Sequence, residues 1–299
     1  MTSRVLSIQS HVVHGYVGNK SATFPLQLLG FDVDCINSVQ LSNHTGYEVF
    51  KGQILNEKDL NDLIDGLKNN NLHVGYSHLL TGYVRNESFL LAILNVVADL
   101  KRSNRGLIYV CDPVMGDDDI VYIPKELVPV YRDKVIPLAD IITPNQTELE
   151  ILSDAKANTL ENALKCIQIL HDKGCKTVVI SSMEFESVPD QLFIVASHVL
   201  SGNVKNEVMI QIPKLKAKFF GTGDLFTATF LAWMAKTDGN LNVALENTVA
   251  TVNAVITRTL NEYKGDNNGE RRGLELKLIQ CKAEIENPKV IYKCVKINI

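Results

Sequence analysis

Apolar and polar positions change period along this chain in a repeating order. Short apolar or alternating runs read as strands over Val5 to Gln9, Phe31 to Val39, Ser77 to Leu80, Leu107 to Cys111, Ile141 to Ile142, Thr177 to Ile180, Leu192 to Ala196 and Val208 to Ile212. Longer runs with helical spacing lie between them. One starts after Lys20, runs through Leu29 and closes at Gly30, a natural helix end. Asn56 opens a second through Leu60, Leu63, Ile64 and Leu67; a third covers about Glu87 to Lys101 and a fourth Pro124 to Arg132. Asn158 and Glu161 resemble a capping box for a helix that stops at Gly174. Asn242 to Leu260 reads as a long helix, Leu274 to Glu284 as another, and Val290 to Val295 as a last strand. Between them, 262–272 is a polar, glycine-containing loop.

Strands alternating with helices predict a three-layer α/β/α domain, with helices on both faces of a mostly parallel sheet. No repeat, low-complexity stretch or linker divides the chain, so 1–299 is expected to be one domain. Polar residues recur just after strands: Ser10, Thr45, Tyr83, Asp112, Asn145, Ser181 and Asp224. Ligands of such sheets bind beyond the carboxyl ends of the strands, so these scattered residues are expected to line one cleft.

The densest chemical signal is Phe219-Phe220-Gly221-Thr222-Gly223-Asp224-Leu225-Phe226. Lys214 to Phe219 alternates with period two, which predicts a half-buried strand. Leu225 to Ala235 is apolar and free of Gly and Pro, as in a buried helix. Gly221 and Gly223 lack Cβ, so backbone N–H groups can crowd toward a ligand at the positive end of that helix. That combination is an anion site. Asp224 reads either as the helix cap or as the group that orients and deprotonates a hydroxyl beside a bound phosphoryl group.

Composition narrows the choice. The 299 residues are 45% hydrophobic and 21% charged, enough for a sizeable core. A formal net charge of −4 with no basic cluster argues against nucleic acid as partner. Six cysteines form no CxxC pair and read as reduced, mostly buried thiols. Met1 to Arg4 leads straight into a strand-like run, with no apolar leader and no membrane-spanning stretch; the expected compartment is the cytoplasm.

Two further groups carry chemistry. Asp112 and Asp117 to Asp119 read either as a solvated acidic turn or as partners of a nucleotide-bound Mg²⁺ through Asp117. Asn145 and Glu148 read either as ordinary capping residues or as a phosphate donor and an organiser of the metal's water shell. His11 and His14 lack a third ligand and do not make a metal site. Lys20 follows two glycines, but GxxxxGK[ST] is absent, as are GxGxxG and GxSxG.

Seven blocks together resemble pyridoxal kinases. They are Ser7-Ile8-Gln9-Ser10-His11-Val12, Gly15-Tyr16-Val17-Gly18-Asn19, Ser42-Asn43-His44-Thr45-Gly46-Tyr47, Leu80-Thr81-Gly82-Tyr83, Cys111-Asp112-Pro113-Val114, Ile142-Thr143-Pro144-Asn145-Gln146 and Gly221-Thr222-Gly223-Asp224. The last is shared by the wider ribokinase-like superfamily; the Ser10, Ser42–Tyr47 and Thr81–Tyr83 blocks select the vitamin B6 kinases. The resemblance implies a ribokinase-like homodimer that phosphorylates the 5′-hydroxymethyl of pyridoxal, pyridoxine and pyridoxamine with ATP. It implies Asp224 as catalytic base and Gly221 to Gly223 as anion hole. Ser10, Thr45 and Tyr83 would meet the vitamer, and Asn145, Ser182, Leu215 and Thr222 the nucleotide. Asp112, Asp117 and Glu148 would handle phosphates and Mg²⁺, or another divalent ion such as Zn²⁺. A monovalent cation, K⁺ or Na⁺, would sit near Asp112, Thr143 and Ser181. Ser181 stands where relatives often carry Thr, and the Asp117–Tyr122 segment is shorter than the nucleotide-covering loop of many animal relatives. Asp118 and Asp119 receive no role. The alternatives are a hydroxymethylpyrimidine or sugar kinase of the same superfamily and a catalytically silent B6 carrier.

Overall fold

Consecutive residues of the central strands face opposite cores, the period-two rule of a sheet covered on both sides. Val5 and Leu6, Leu79 and Leu80, Ile141 and Ile142, and Val178 and Val179 each divide between two apolar clusters. A computed structural model describes residues 3–117, 120–201, 204–263 and 273–298. Six strands run parallel at its centre: β1 (Arg4–Val12), β2 (Asp32–Leu41), β4 (His78–Thr81), β5 (Ile108–Cys111), β8 (Ile141–Ile142) and β9 (Thr177–Met183). Antiparallel strands flank them: β3 (Gly52–Ile54) beside β2, and β10 (Gln191–Val199), β11 (Lys205–Pro213) and β14 (Val295–Lys296) beyond β9. The order is β14-β11-β10-β9-β8-β5-β4-β1-β2-β3.

One face is covered by α2 (Glu57–Asn69), α3 (Glu87–Ser103), α5 (Gln146–Ser153) and α6 (Leu160–Asp172); the short α4 (Leu127–Val130) runs into a π turn at Tyr131–Val135. The other carries α1 (Asn19–Leu28), α7 (Thr222–Lys236) and α8 (Leu241–Glu262). α7 is apolar nearly all round because it lies between the sheet, α1 and α8; Phe226, Phe230 and Leu231 are buried. β1 connects through α1 on one face, whereas its neighbour β4 connects through α3 on the other. That reversal opens a crevice at the carboxyl ends of β1 and β4.

Several local readings change. Thr159, not Asn158, caps α6: its side chain accepts from the Asn162 N–H. α5 follows β8 by three residues and realises the capping reading of Asn145. Lys214 to Lys218 is a bend; just Phe219–Phe220 pairs, as β12 with β13 (Leu274–Glu275). The alternation is real as burial but the segment has no neighbouring strand along most of its length. Leu274 to Glu284 is not one helix: β13 is followed by a 3₁₀ turn at Ile279–Cys281 and by α9 (Lys282–Glu286). The loop read over 262–272 lies mostly outside the described residues.

Candidate active site

Gly221 is the N-cap of α7 and has φ +80, so an L side chain there is strained. A Cβ would also fall 1.9 Å from the Tyr16 carbonyl oxygen, so the turn is packed against the loop after β1. Ser21 donates to the Gly221 carbonyl at 3.0 Å and locks the two together. Gly223 differs: a Cβ there would meet only Asp112 Oδ2, at an ordinary 3.5 Å. Protein packing does not require that glycine.

Asp224 is not the cap; it sits in the first turn of α7. Its carboxylate accepts a hydrogen bond from the Gly18 N–H, at the start of α1. Gly18 has φ +56, and a Cβ would lie 2.0 Å from the Ser10 carbonyl oxygen. Ser10, Gly18 and Asp224 are therefore one packed unit where two helix N-termini meet. Burial pushes the Asp224 carboxyl up to about 6, the Gly18 N–H opposing it. That lies well above an ordinary aspartate, near 4. Part of the residue stays accessible, as a group that meets a ligand must.

Beside it lies a buried acidic pair. Asp112 is 5% exposed and Glu148 3%. Burial raises both, and the Asp112 carboxyl is pushed further by the charges of Glu148 and Asp224. Glu148 is held by three backbone N–H groups: Asn145 at 2.9 Å, Met115 at 2.9 Å and Gly116 at 3.5 Å. Asn145 caps α5 by accepting from the Glu148 N–H and donates to the Gly116 carbonyl at 2.7 Å. The capping reading of both residues is realised as a full capping box. It anchors the β6 (Gly116–Asp117) and β7 (Ile120–Val121) hairpin, while one Asn145 amide N–H is left over for a ligand. Asp117 lies exposed on that hairpin; Asp118 and Asp119 fall outside the described residues.

Thr227, one turn into α7, bonds the Asp112 carboxylate and stands 2.7 Å from the Thr143 hydroxyl. Ser181 donates to the Pro144 carbonyl at 3.4 Å, next to Thr143. Among the described residues neither buried acid has a Lys or Arg partner. Two uncompensated buried carboxylates are a donor set suited to a hard cation. No group of three or more His, Cys, Asp or Glu converges among the described residues. These acids therefore fit a divalent ion that keeps its waters and arrives with phosphate oxygens.

The remaining predicted residues lie around this centre. Thr45 is exposed on its loop, and its neighbours His44 and Gly46 pack on Phe220. Tyr83 is half-buried beyond β4, with its carbonyl accepting from Ser38. Thr222 opens α7. Ser182 is half-buried on β9 and Leu215 on the bend after β11; no side-chain hydrogen bond ties Ser182 to the set.

Comparisons with known proteins fit this arrangement. Residues 74–269 match the family model described as phosphomethylpyrimidine kinase. The chain is 46% identical over 302 residues to the pyridoxal kinase of Homo sapiens, across 96% of each chain. It is 51% identical over 299 residues to that of Arabidopsis thaliana, across 99% of this chain and 96% of the relative. This chain belongs to the pyridoxal kinase family. Its fold is that of the solved pyridoxal kinase from Leishmania donovani in complex with ADP, with TM-score 0.92, 33% identity and 99% of each chain covered. The Plasmodium falciparum structure with ligands AMP-PNP and PL gives TM-score 0.88 at 29% identity, over 100% of both chains.

Three residues around this centre carried no assignment from the sequence. Thr227 follows the Gly221 motif by one helical turn from Gly223, a spacing that could have flagged it. Tyr122 hangs from the hairpin half in solvent. Burial, then the charges of Glu148, Asp117, Asp112 and Asp224, push its hydroxyl up. Glu275 bears on three site loops and had no signal, because its stretch reads as helix.

Proposed function

We propose that this chain is an ATP-dependent pyridoxal kinase that phosphorylates the 5′-hydroxymethyl of pyridoxal, pyridoxine and pyridoxamine. The Leishmania donovani enzyme has been solved with ADP and pyridoxamine, and with ADP and pyridoxine, at TM-scores of 0.91 and 0.90. The observation that carries the reading is the junction at Asp224: a base raised toward neutrality, beside a glycine turn with room for a ligand at its second glycine.

Asp224 orients the vitamer hydroxyl and takes its proton. The N–H groups of the 221–223 turn receive the transferring phosphoryl group, whose loose transition state rewards positioning and charge stabilisation. Ser10 and Thr45 hold the pyridine's polar groups, and Tyr83 shapes that side. Asn145, Ser182, Leu215 and Thr222 hold the nucleotide. Asp112, Asp117 and Glu148 order the hydrated Mg²⁺, or a substitute divalent ion, which neutralises phosphate charge when bound. Asp112, Thr143 and Ser181 suit a K⁺ or Na⁺ ion. The protein works as one domain over 1–299, as a homodimer, in the cytoplasm. Among the described residues no helix is long and apolar enough to cross a membrane.

A coupled assay for pyridoxal 5′-phosphate, with ATP and with or without Mg²⁺ and K⁺, tests this. Product formation dependent on Mg²⁺ is expected. Turnover of a hydroxymethylpyrimidine or a sugar in its place, with none of pyridoxal, would overturn the substrate assignment. B6 binding without ADP release would make the protein a carrier.

A further inference from the structure

Glu275 lies in β13, opposite Phe220 of β12, one residue before the phosphate turn begins. Its carboxylate gathers three chain segments. Oε2 accepts from the Tyr16 N–H at 3.2 Å, on the loop that carries Gly18. Oε1 accepts from the Tyr47 hydroxyl at 3.0 Å, on the loop that carries Thr45. The His44 Nε2 stands 3.2 Å from Oε1, and the imidazole is 4% exposed. His44 Nδ1 accepts from the Gly46 N–H at 3.1 Å, so the ring's proton is on Nε2, facing Glu275. Among the described residues the Tyr16 N–H and the Tyr47 hydroxyl thus hydrogen-bond this carboxylate, and the His44 Nε2–H lies within ion-pair distance of it without hydrogen-bond geometry. These donors together outweigh burial and hold the Glu275 carboxyl below its ordinary value.

Packing agrees with the hydrogen bonds. The His44 ring stacks on Phe220 with centroids 4.0 Å apart. A Cβ on Gly46 would lie 2.7 Å from the Phe220 ring, and one on Gly15 2.1 Å from Glu275 Oε2. The Tyr16 carbonyl closes on Gly221, as described above. The Thr45 loop, the Gly18 loop and the strand that leads into the glycine turn therefore meet at one acceptor.

We infer that Glu275 is a positioning residue that sets the Thr45 loop in register with Asp224 and the phosphate turn. This inference rests on the pyridoxal kinase reading. The chemistry demands a carboxylate: a glutamine would turn its NH₂ toward at least one of three donors. Registration of Thr45 against Asp224 affects the alcohol substrate first, since Asn145, Thr222 and the acidic pair are held by other contacts.

The test is steady-state kinetics of Glu275→Gln, Tyr47→Phe and the double variant, with ATP and pyridoxal varied separately and melting temperatures recorded. Glu275→Gln should raise the pyridoxal KM about tenfold or more, the size of a lost hydrogen bond to a charged group. The ATP KM should stay within about twofold. Tyr47→Phe should raise the pyridoxal KM less, and the double variant should be no worse than Glu275→Gln, because both remove one network. An unchanged pyridoxal KM and turnover in Glu275→Gln would overturn the inference. So would an equal rise in both KM values with a lowered melting temperature, which marks a purely structural role. If Glu275→Gln does not fold, Tyr47→Phe alone decides: a raised pyridoxal KM with an unchanged ATP KM supports the inference, and no change in either overturns it. A wild-type protein that makes no pyridoxal 5′-phosphate defeats the functional reading instead, before any variant is compared.

Discussion

Asp224 is costly to the fold for the same reason that it is suited to its chemistry. Its folded value of about 6 lies above the ordinary 3.8, so the native state holds the proton longer than the unfolded chain. The resulting stabilisation is full below the unfolded value and is lost as pH rises through about 6. Above that pH the ionised, buried carboxylate costs on the order of 3 kcal/mol. Asp224→Asn should therefore melt several degrees higher than wild type at pH 8, and equally near pH 4, in paired thermal scans. The same variant should lose about 10²–10⁴-fold in kcat while nucleotide still binds, measured by turnover and by calorimetric titration. Near-wild-type turnover would remove Asp224 from the reaction. In the wild type, kcat/KM should fall on the acid side with an apparent value near 6, as the base protonates.

The glycine turn, the helices and the short strands separate what local pattern can show from what it cannot. Gly221 and Gly223 look equivalent in the motif, but their surroundings differ. Gly221→Ala places a Cβ against the Tyr16 carbonyl at positive φ, so both stability and turnover should fall, by about 1–3 kcal/mol in the folded state. Gly223→Ala should melt within about 1–2 °C of wild type yet lose turnover, since only the bound phosphoryl group lacks room for the methyl. Parallel melting and kinetic measurements separate the two, and equal melting losses would contradict the packing argument. Residues 214–218 alternate perfectly but form no strand, because a strand needs a neighbour to bond. Leu274 to Glu284 has apolar residues at helical spacing, yet Leu274 and Glu275 are drawn into pairing with Phe219 and Phe220. Asn145 and Glu148 carry capping and ligand signals at once, and α5 realises the capping one.

Across the whole molecule, strands from both ends of the chain complete one sheet, with β14 sealing the β11 edge. Within it, the β1–β4 reversal collects Ser10, Asp112 and, through α7, Asp224 into one crevice. The price of that convergence is a buried Asp112–Glu148 pair that feels the charge of Asp224. Mg²⁺ with ATP should therefore raise the melting temperature more at pH 8 than at pH 5, because the raised Asp112 and Glu148 carboxyls increasingly favour protons over a cation as pH falls. Scans with and without the ligands at both pH values check this; equal shifts would count against the buried acids as the cation site. Asp117→Ala should raise the Mg²⁺ concentration needed for half-maximal turnover, and an unchanged titration would count against its role.

Most of the central layering was legible before any coordinates, because hydrophobic period is a property of neighbours in sequence. Val5/Leu6 and Ile141/Ile142 point to opposite faces on any sheet covered on both sides. The glycine turn was legible too, since absent Cβ atoms and a following apolar helix are local facts. The Asp224 titration, the Asp112–Glu148 coupling, the Thr227 bridge and the donors around Glu275 were not. Each depends on distances between segments far apart in sequence, and electrostatic energy follows those distances and the excluded water.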